Sequence, residues 1–500
     1  MRKIVKLLTS KILITGIIVL IQLAFIYFLV DQLVNNEIFG IYVHILFIII
    51  SVIVILHVNS STINPEYKIA WIIPVAAFPV FGTFFYLFYH QSTIRPKRTK
   101  KYLEAIKQRK SLIGSSSEGL DFKEITYLNN SGWRTFSNSK SHFIASGDEK
   151  LKLMVEDLKK AEHFILMEYY IVAKGVMFNE IFDVLKEKAS QGVKVYVIYD
   201  DFGSADKLPF NFIKNMQEVN ITAIPFNRMN IHINFAMNYR SHRKITVIDN
   251  KIAYTGGVNI GDEYINKQKK QIPWRDSAIR LEGESVWSLT LTFLENWNFS
   301  TKNQLDSTNF KLDYSVSSKE VIAPFADNPI EDKQIARSMF LYLINNAKEE
   351  ILITSPYLIL DSEIQTALKL AAMSGVKIKI IIPGIPDKKM IYLVTEGYAL
   401  KLLNLGIEIY KYIPGFIHSK LFVVDNNKAI IGTSNLDFRS LFLNFENNVY
   451  LYNSQSINQI NNYINNIINE SKLMSQNDLE KKNIIIRTIQ AILKGFSPLL

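Results

Sequence analysis

Two short segments of this 500-residue chain carry the residue types that phosphorus chemistry needs. His242-Arg243-Lys244 is followed by Asp249, and His418-Ser419-Lys420 by Asp425, so both read H-x-K-x4-D. In each copy an Asn stands 17 residues after the His: Asn259 in Gly256-Gly257-Val258-Asn259, and Asn435 in Gly432-Thr433-Ser434-Asn435. His occurs eight times in the whole chain, so this repeat points to duplication rather than to composition. A phosphodiester is anionic and repels nucleophiles. A site that breaks it wants cations on the nonbridging oxygens, a nucleophile, and a proton donor for the leaving alkoxide. Imidazole serves as neutral nucleophile or protonated acid near pH 7. One His can attack phosphorus while the other protonates the leaving oxygen. Lys244, Lys420, Asn259 and Asn435 would hold the phosphoryl oxygens as charge builds. This scheme calls for no metal and no cofactor. Asp249 and Asp425 complete the candidate catalytic set, but each precedes an Asn between two apolar runs. That is turn chemistry, and it favours a supporting role over a direct one.

The elements that must position these groups are legible around them. Ile245-Thr246-Val247-Ile248 and Leu421-Phe422-Val423-Val424 read as strands, and on a strand residues i and i+2 share a face, so His and Lys of each copy should project together. From Asp148 onward helix and strand alternate. Helical Glu149 to Glu162 leads to strand Phe164 to Tyr169, and helical Phe178 to Ser190 leads to strand Val193 to Tyr199. The second half echoes this with strand Glu350 to Ser355, helix Ser362 to Met373 and strand Ile378 to Ile382. From the Gly of Gly-Val-Lys to the motif His is 50 residues in the first copy and 43 in the second. Whole-domain duplication follows. The expected fold is two α/β sandwich domains, residues 146–300 and 331–500, related by a pseudo-two-fold that brings both His to one interface. Residues 95–145 read as a basic linker and 301–330 as a bridge between the halves. The tail from Ile457 to Leu493 has helical periodicity, interrupted near Ser475-Gln476-Asn477, and reads as a helix packed on the second domain.

These residues resemble the phospholipase D superfamily, whose members carry this His-Lys-Asp signature twice in a chain or once per subunit of a dimer. Within it, Arg240-Ser241-His242-Arg243-Lys244-Ile245 leading to Gly256-Gly257-Val258-Asn259-Ile260 is similar to the first motif of bacterial cardiolipin synthases. Gly432-Thr433-Ser434-Asn435-Leu436-Asp437-Phe438-Arg439-Ser440 with Asn444-Phe445-Glu446 is similar to the second. Trp274-Arg275-Asp276, Tyr170-Ile171, Ser355-Pro356-Tyr357 and the terminal Ser497-Pro498-Leu499-Leu500 also sit where that family has similar residues. The likeness runs from about residue 65 to the C-terminus. It departs at Leu360-Asp361, where the family often has Pro-Asp, and at Tyr239, in a usually more polar region. The resemblance implies a two-step transfer. One His takes a phosphatidyl group from phosphatidylglycerol and releases glycerol, and a second phosphatidylglycerol attacks the phosphohistidine to give cardiolipin. It also implies His242 as nucleophile, His418 as acid, and Asp276 and Glu446 as the carboxylates that orient the two His. Hydrolysis, or transfer to another alcohol, uses the same motifs.

Composition narrows the partner. The net charge is +11, with a pI near 9.2, and there is no Cys, which excludes disulfides and thiolate metal sites. A basic chain suits nucleic acid or an acidic lipid surface. The N-terminus favours lipid. Residues 1–94 read as a membrane anchor in which Ile12 to Val30 and Ile38 to Val58 are each long enough to span a bilayer core of roughly 30 Å. A phosphodiesterase nuclease would want an open basic groove and no anchor, and a decayed scaffold would not keep both motifs intact. No nucleic-acid partner is expected. A third apolar segment, residues 69–89, holds Pro74, Pro79 and Gly82 and is expected to dip into the membrane and return. Arg2, Lys3, Lys6 and Lys11 precede the first run, and Arg95, Lys97, Arg98, Lys100, Lys101, Lys107, Arg109 and Lys110 follow the third. Both clusters belong in the cytoplasm. This makes a multi-pass cell-membrane protein with cytoplasmic catalytic domains, whose second cluster also draws anionic headgroups.

Overall fold

The structure, a computed structural model, describes residues 37–61, 63–89, 96–114, 122–228, 239–268, 272–331, 333–476 and 483–499, with Tyr27 and Asp31. The first apolar run and the basic residues ahead of it lie outside the described residues, Tyr27 apart. Contacts divide the chain into residues 1–91 and 92–500.

In the first unit the second apolar run forms helix Glu37–Ser60. Its stretch Ile41–Ser60 is, among the described residues, the one helix long and apolar enough to cross a membrane. The third run is broken into two helices, Pro65–Ala77 and Pro79–Tyr89. Phe78 leaves helical geometry because Pro79 disfavours it there. The two arms fold back on each other so closely that a Cβ on Gly82 would lie 2.1 Å from the Pro74 carbonyl oxygen. Only Gly permits that crossing. At ~1.5 Å per residue the arms are roughly 20 and 16 Å long, short of the ~30 Å of a bilayer core. Val54, Val58, Trp71, Val75 and Tyr86 form the packed centre of the three helices.

The second unit holds both sheets. The first half contributes β1 (Ser139–Ile144), β2 (Phe164–Tyr169), β3 (Lys194–Asp200), β4 (Ile221–Phe226), β5 (Arg240–Ser241), β6 (Lys244–Ile248), β7 (Ile252–Gly256), β8 (Trp274–Arg275) and β9 (Ala278–Gly283). The second contributes β10 (Val321–Asp327), β11 (Glu350–Thr354), β12 (Lys377–Pro383), β13 (Glu408–Tyr412), β14 (Phe416–Ile417), β15 (Leu421–Val424), β16 (Lys428–Gly432), β17 (Asn444–Tyr452) and β18 (Ser471–Leu473). The first sheet runs β1-β9-β7-β6-β2-β3-β4, and the second runs β10-β17-β16-β15-β11-β12-β13-β18. Apart from β18 the orders correspond strand for strand, which is the duplication expected from the motif. The trios β2-β3-β4 and β11-β12-β13 are parallel, as strands joined through crossover helices must be. The remaining neighbours on both main paths are antiparallel. β2, β6, β11 and β15 are apolar and buried almost throughout, because both faces of the sheet are covered.

Three elements differ from expectation. The stretch read as a linker contains helices Pro96–Ile113 and Lys123–Asn130, the first packed on helix Val286–Ser300. Tyr102 and Ile106 supply its buried face, and Arg109 pairs with Glu295 at 2.7 Å. Lys101 donates to the Thr301 carbonyl at 2.5 Å, and Arg98 lies 4.9 Å from the Phe299 ring. Several of the basic residues expected to face headgroups are therefore committed to packing. Helix Val286–Ser300 is buried from Val286 to Phe299, its polar residues such as Thr290, Glu295 and Asn296 included, and it touches strands of both sheets. The bridge is shorter than 301–330, since β10 begins at Val321. Its one short turn, Ser307–Phe310, buries Phe310 against Phe164.

Candidate active site

The site is built from two crossed pairs of short strands. β5 pairs with β17 in parallel, Arg240 opposite Asn444 and Ser241 opposite Phe445. β8 pairs with β14 in the same manner, Trp274 opposite Phe416 and Arg275 opposite Ile417. At the end of each pair the motif His donates its main-chain N–H across the interface. His242 N donates to Phe445 O at 2.9 Å, and His418 N to Arg275 O at 2.7 Å. The next residue on the accepting strand is the carboxylate that meets that same imidazole. Glu446 thus stands against His242 Nδ1, both oxygens at 3.0 Å, and Asp276 against His418 Nδ1 at 2.6 Å. Each half lends its carboxylate to the other half's His.

Both His lie just before a motif strand, which begins at Lys244 in the first copy and at Leu421, directly after Lys420, in the second, and the chain changes partner there. Lys244 starts β6 opposite Tyr169 at the carboxyl end of β2. Ligand sites of open α/β sheets lie outside the carboxyl ends of strands. Lys244 Nζ donates to His242 O at 2.6 Å, and Lys420 Nζ donates to His418 O. The two halves share one electrostatic environment: Lys420 acts on His242, and Lys244 on His418.

Burial pulls His242 down to about 4 and His418 to about 3, outweighing the pull of Glu446 and Asp276. Burial works against the ionised form of Glu446 too, but His242, Lys244 and the Thr433 hydroxyl hold its carboxyl below the usual range. Ionised Glu446 only accepts, so Nδ1 of His242 carries the proton and Nε2 presents a lone pair. A neutral His418 bonded to a carboxylate has the same tautomer. Burial also brings Lys420 down to about 8 and Lys244 well below its ordinary value. A bound anion would favour the charged form of both.

The other candidate residues divide. Asn259 accepts from Ile171 N at 3.0 Å and donates to Tyr264 Oη at 2.6 Å, so it ties the strand ends together. Asn435 donates to Asp437 at 3.1 Å, while its Oδ1 is buried with no hydrogen-bond partner. Asp249 and Asp425 are engaged in main-chain hydrogen bonds, in line with the supporting role that turn chemistry favours. Both have positive φ in the turn after the motif strand, five residues beyond the Lys. Asp249 accepts from the N–H groups of Glu162, His163 and Phe164 at 2.7–2.9 Å. Asp425 does the same for Lys348, Glu349 and Glu350. Each fixes the start of the central parallel strand.

Some groups at the site had no signal in the sequence. Lys150 is fully buried and donates to Val258 O at 2.9 Å; burial lowers it to about 7, with Asp276 opposing. Arg243, the variable residue of the first motif, is fully buried and donates to the carbonyls of Glu446 and Asp327. Around His418 the rings of Trp274, Phe416 and Tyr264 stand 4.9–5.8 Å away, while Tyr170 stands 5.2 Å from His242.

Sequence and structure comparisons show the chain's relatives. The family described as cardiolipin synthase, phospholipase D-like domain, matches residues 154–272 and 340–468, one match on each half. A phospholipase D-nuclease N-terminal family matches residues 45–89. An uncharacterised protein of Streptococcus mutans is 35% identical over 89% of this chain and 99% of its own length. A cardiolipin synthase of Alkalihalophilus pseudofirmus is 33% identical over 87% of this chain and 90% of its own. The crystal structure of a phosphatidylserine synthase from Haemophilus influenzae superposes with a TM-score of 0.57 at 15% identity, over 75% of this chain and 97% of that one, and so shares the fold. With both motif copies, both matched halves and relatives of near-equal length, the chain belongs to the bacterial cardiolipin synthase family of the phospholipase D superfamily.

Proposed function

We propose that the enzyme joins two phosphatidylglycerol molecules into cardiolipin and glycerol through a phosphohistidine on His242. Membership in the family supports the phosphatidyl transfer, and the crossed His–carboxylate pairs carry the mechanism. In the first step the Nε2 lone pair of His242 forms the P–N bond as the P–O bond to glycerol breaks. His418, which takes up a second proton at Nε2 when the anionic phosphodiester binds, gives that proton to the leaving oxygen and returns to the neutral form. In the second step His418 takes the proton of the acceptor's glycerol hydroxyl, the new P–O bond forms, and His242 leaves. Lys244 and Lys420 offset charge on the nonbridging oxygens. Both side chains are largely buried, and the attack is assigned to His242 by likeness to the family. His418, walled by aromatic rings, suits the guarded proton transfer. Asp276 and Glu446 hold each ring and stabilise it when it becomes cationic, much as the carboxylate of a hydrolase triad does.

The membrane reading extends this. Helix Ile41–Ser60 supports one span. The folded-back arms 65–77 and 79–89 support a segment that enters and leaves on one side. With residues 12–30 as a further span, the N-terminus and the catalytic unit are both cytoplasmic.

The test is thin-layer chromatography of purified enzyme in vesicles of labelled phosphatidylglycerol alone. Labelled cardiolipin with free glycerol, lost in His242→Ala, is the expected result. Phosphatidic acid without cardiolipin would replace the acceptor alcohol with water. Cardiolipin at the wild-type rate from His242→Ala would remove the phosphohistidine.

A further inference from the structure

The tail beyond the second sheet splits into two helices of opposite character. Helix Gln455–Asn469 buries Ile457, Ile460, Ile464 and Ile467 against the catalytic unit. Helix Ile484–Gly495 buries no residue. It is nonetheless docked. Gln490 donates to the Leu393 carbonyl at 3.1 Å, Lys494 lies 4.5 Å over the Tyr398 ring, and Ser497 meets the Tyr398 hydroxyl at 3.1 Å. These anchors keep one face of the helix on helix Lys389–Leu403. The row Ile485, Ile489, Ile492 has the i, i+4, i+7 spacing of one stripe, and it is 62, 42 and 56% exposed. Three Ile on a continuous stripe facing water is an unfavourable arrangement for a soluble surface.

The direction of docking says where the stripe lies. Residue 490 meets 393 and residue 494 meets 398, so the two helices run side by side in the same sense. Ile485 is then level with the first turn of the partner helix. That turn carries Met390, 59% exposed, beside the exposed Lys388 and Lys389. It also adjoins the catalytic mouth. Lys388 lies 5.9 Å from the Tyr357 ring, whose hydroxyl donates to Asp387. Tyr357 packs on Phe416 and Phe416 on His418. An apolar stripe with adjacent lysines, continuous with the rim of a site for anionic phosphodiesters, matches an anionic bilayer surface in both polarity and charge.

We propose that helix Ile484–Gly495 is an interfacial membrane element. Its Ile485-Ile489-Ile492 stripe and Met390 sit among the acyl chains, and Lys388 and Lys389 sit at the headgroups. The catalytic mouth is thereby held against the leaflet, and a phospholipid presents its headgroup to His242 and His418 with its chains still in the membrane. The proposal rests on the reading of the chain as a phospholipid enzyme.

The absence of Cys allows single reporters in the full-length chain. Ile485→Cys, Ile489→Cys and Met390→Cys would carry a polarity-sensitive fluorophore, with Lys159→Cys, at the opposite end of the first sheet, as the reference. The enzyme is reconstituted in phosphatidylglycerol vesicles and probed with spin-labelled lipid and with aqueous iodide. The first three positions should be quenched by the lipid and shielded from iodide, and Lys159→Cys the reverse. Iodide reaching Ile485→Cys and Ile489→Cys as freely as Lys159→Cys would overturn the proposal. Shielding from both quenchers would too, because it would mean that protein, a second copy of the chain included, covers the stripe. In parallel, the triple change Ile485→Glu, Ile489→Glu, Ile492→Glu should slow turnover of vesicle substrate about tenfold and leave turnover in detergent micelles unchanged. Equal loss in both would make the stripe structural. Quenching is read without turnover, so lipid contact in a chain that makes no cardiolipin would count against the function and leave the docking face standing.

Discussion

The two copies of the motif have the same main chain and different surroundings. In both, the His N–H crosses to the residue before a carboxylate, the Lys returns to its own His carbonyl, and an Asp ties three N–H groups at the far end of the strand. The side chains around these shared bonds diverge. Glu446, which serves His242, also accepts from Thr433 at 2.5 Å and Asn444 at 3.2 Å, and Arg243 clamps its carbonyl. Asp276, which serves His418, takes one short bond from the imidazole and one from Ser277 N. Where the second copy has Thr433 the first has Gly257, and a Cβ there would lie 2.0 Å from Asp276 Oδ1. Where the first has Arg243 the second has Ser419, bonded to Thr354. Duplication supplied one scaffold, and the two His stand in divergent shells, the asymmetry on which the proposed division of roles rests.

The sharpest way to break this comparison is to remove each His. His242→Ala and His418→Ala should each lower cardiolipin formation by about 10⁴-fold or more. With a phosphatidyl ester of p-nitrophenol, whose leaving group needs no proton, His418→Ala should still release a burst of nitrophenol and His242→Ala should release none. Identical bursts would mean the two His are interchangeable. Next come the carboxylates. Glu446→Gln and Asp276→Asn should each cost on the order of 10³-fold in turnover with folding intact, since either change removes the charge that stabilises an imidazolium. Exchanging the shells refines this further. Thr433→Gly should cost about tenfold through one lost hydrogen bond to Glu446. Gly257→Thr should cost more, because Asp276 must move.

Much of this was legible in the sequence, and the limits have physical causes. The strand after each motif and the Asp-Asn turn follow from local residue types, and the α/β alternation follows from hydrophobic period. The duplication follows from spacing. The crossing of Asp276 and Glu446 does not, because nothing local tells a carboxylate that its partner lies 142 or 204 residues away. It entered only through family resemblance. Helix Pro96–Ile113 read as a linker because its many cations mask an apolar face whose partners, Glu295 and Phe299, are far along the chain. The burial of Arg243 was not legible, because its acceptors are carbonyls of Glu446, Thr292 and Asp327 that only the fold assembles.

The smallest expected effects concern the Asp residues and protons. Asp249 is buried and Asp425 less so, so Asp249→Ala should lower unfolding free energy by about 2–3 kcal/mol and Asp425→Ala by about 1 kcal/mol in denaturant titration. Activity per folded molecule should be unchanged. A large loss of turnover without loss of stability would return the Asp to the chemistry. Burial holds both His neutral, at about 4 and about 3. An anion raises the folded-state pKa of a nearby His, so its binding takes up protons and tightens as pH falls from 7 toward 5. Calorimetry of inorganic phosphate binding in buffers of different ionisation enthalpy should show this uptake, diminished in His418→Ala. Proton release would contradict the assigned states.

The most direct measurement is to trap the phosphoenzyme with labelled phosphatidylglycerol, digest it at alkaline pH and map the label. The expected product is a base-stable, acid-labile phosphohistidine at Nε2 of His242, because Nδ1 is occupied by Glu446. Label on His418, on Nδ1, or on a Ser or Asp would contradict the division of labour between the two halves.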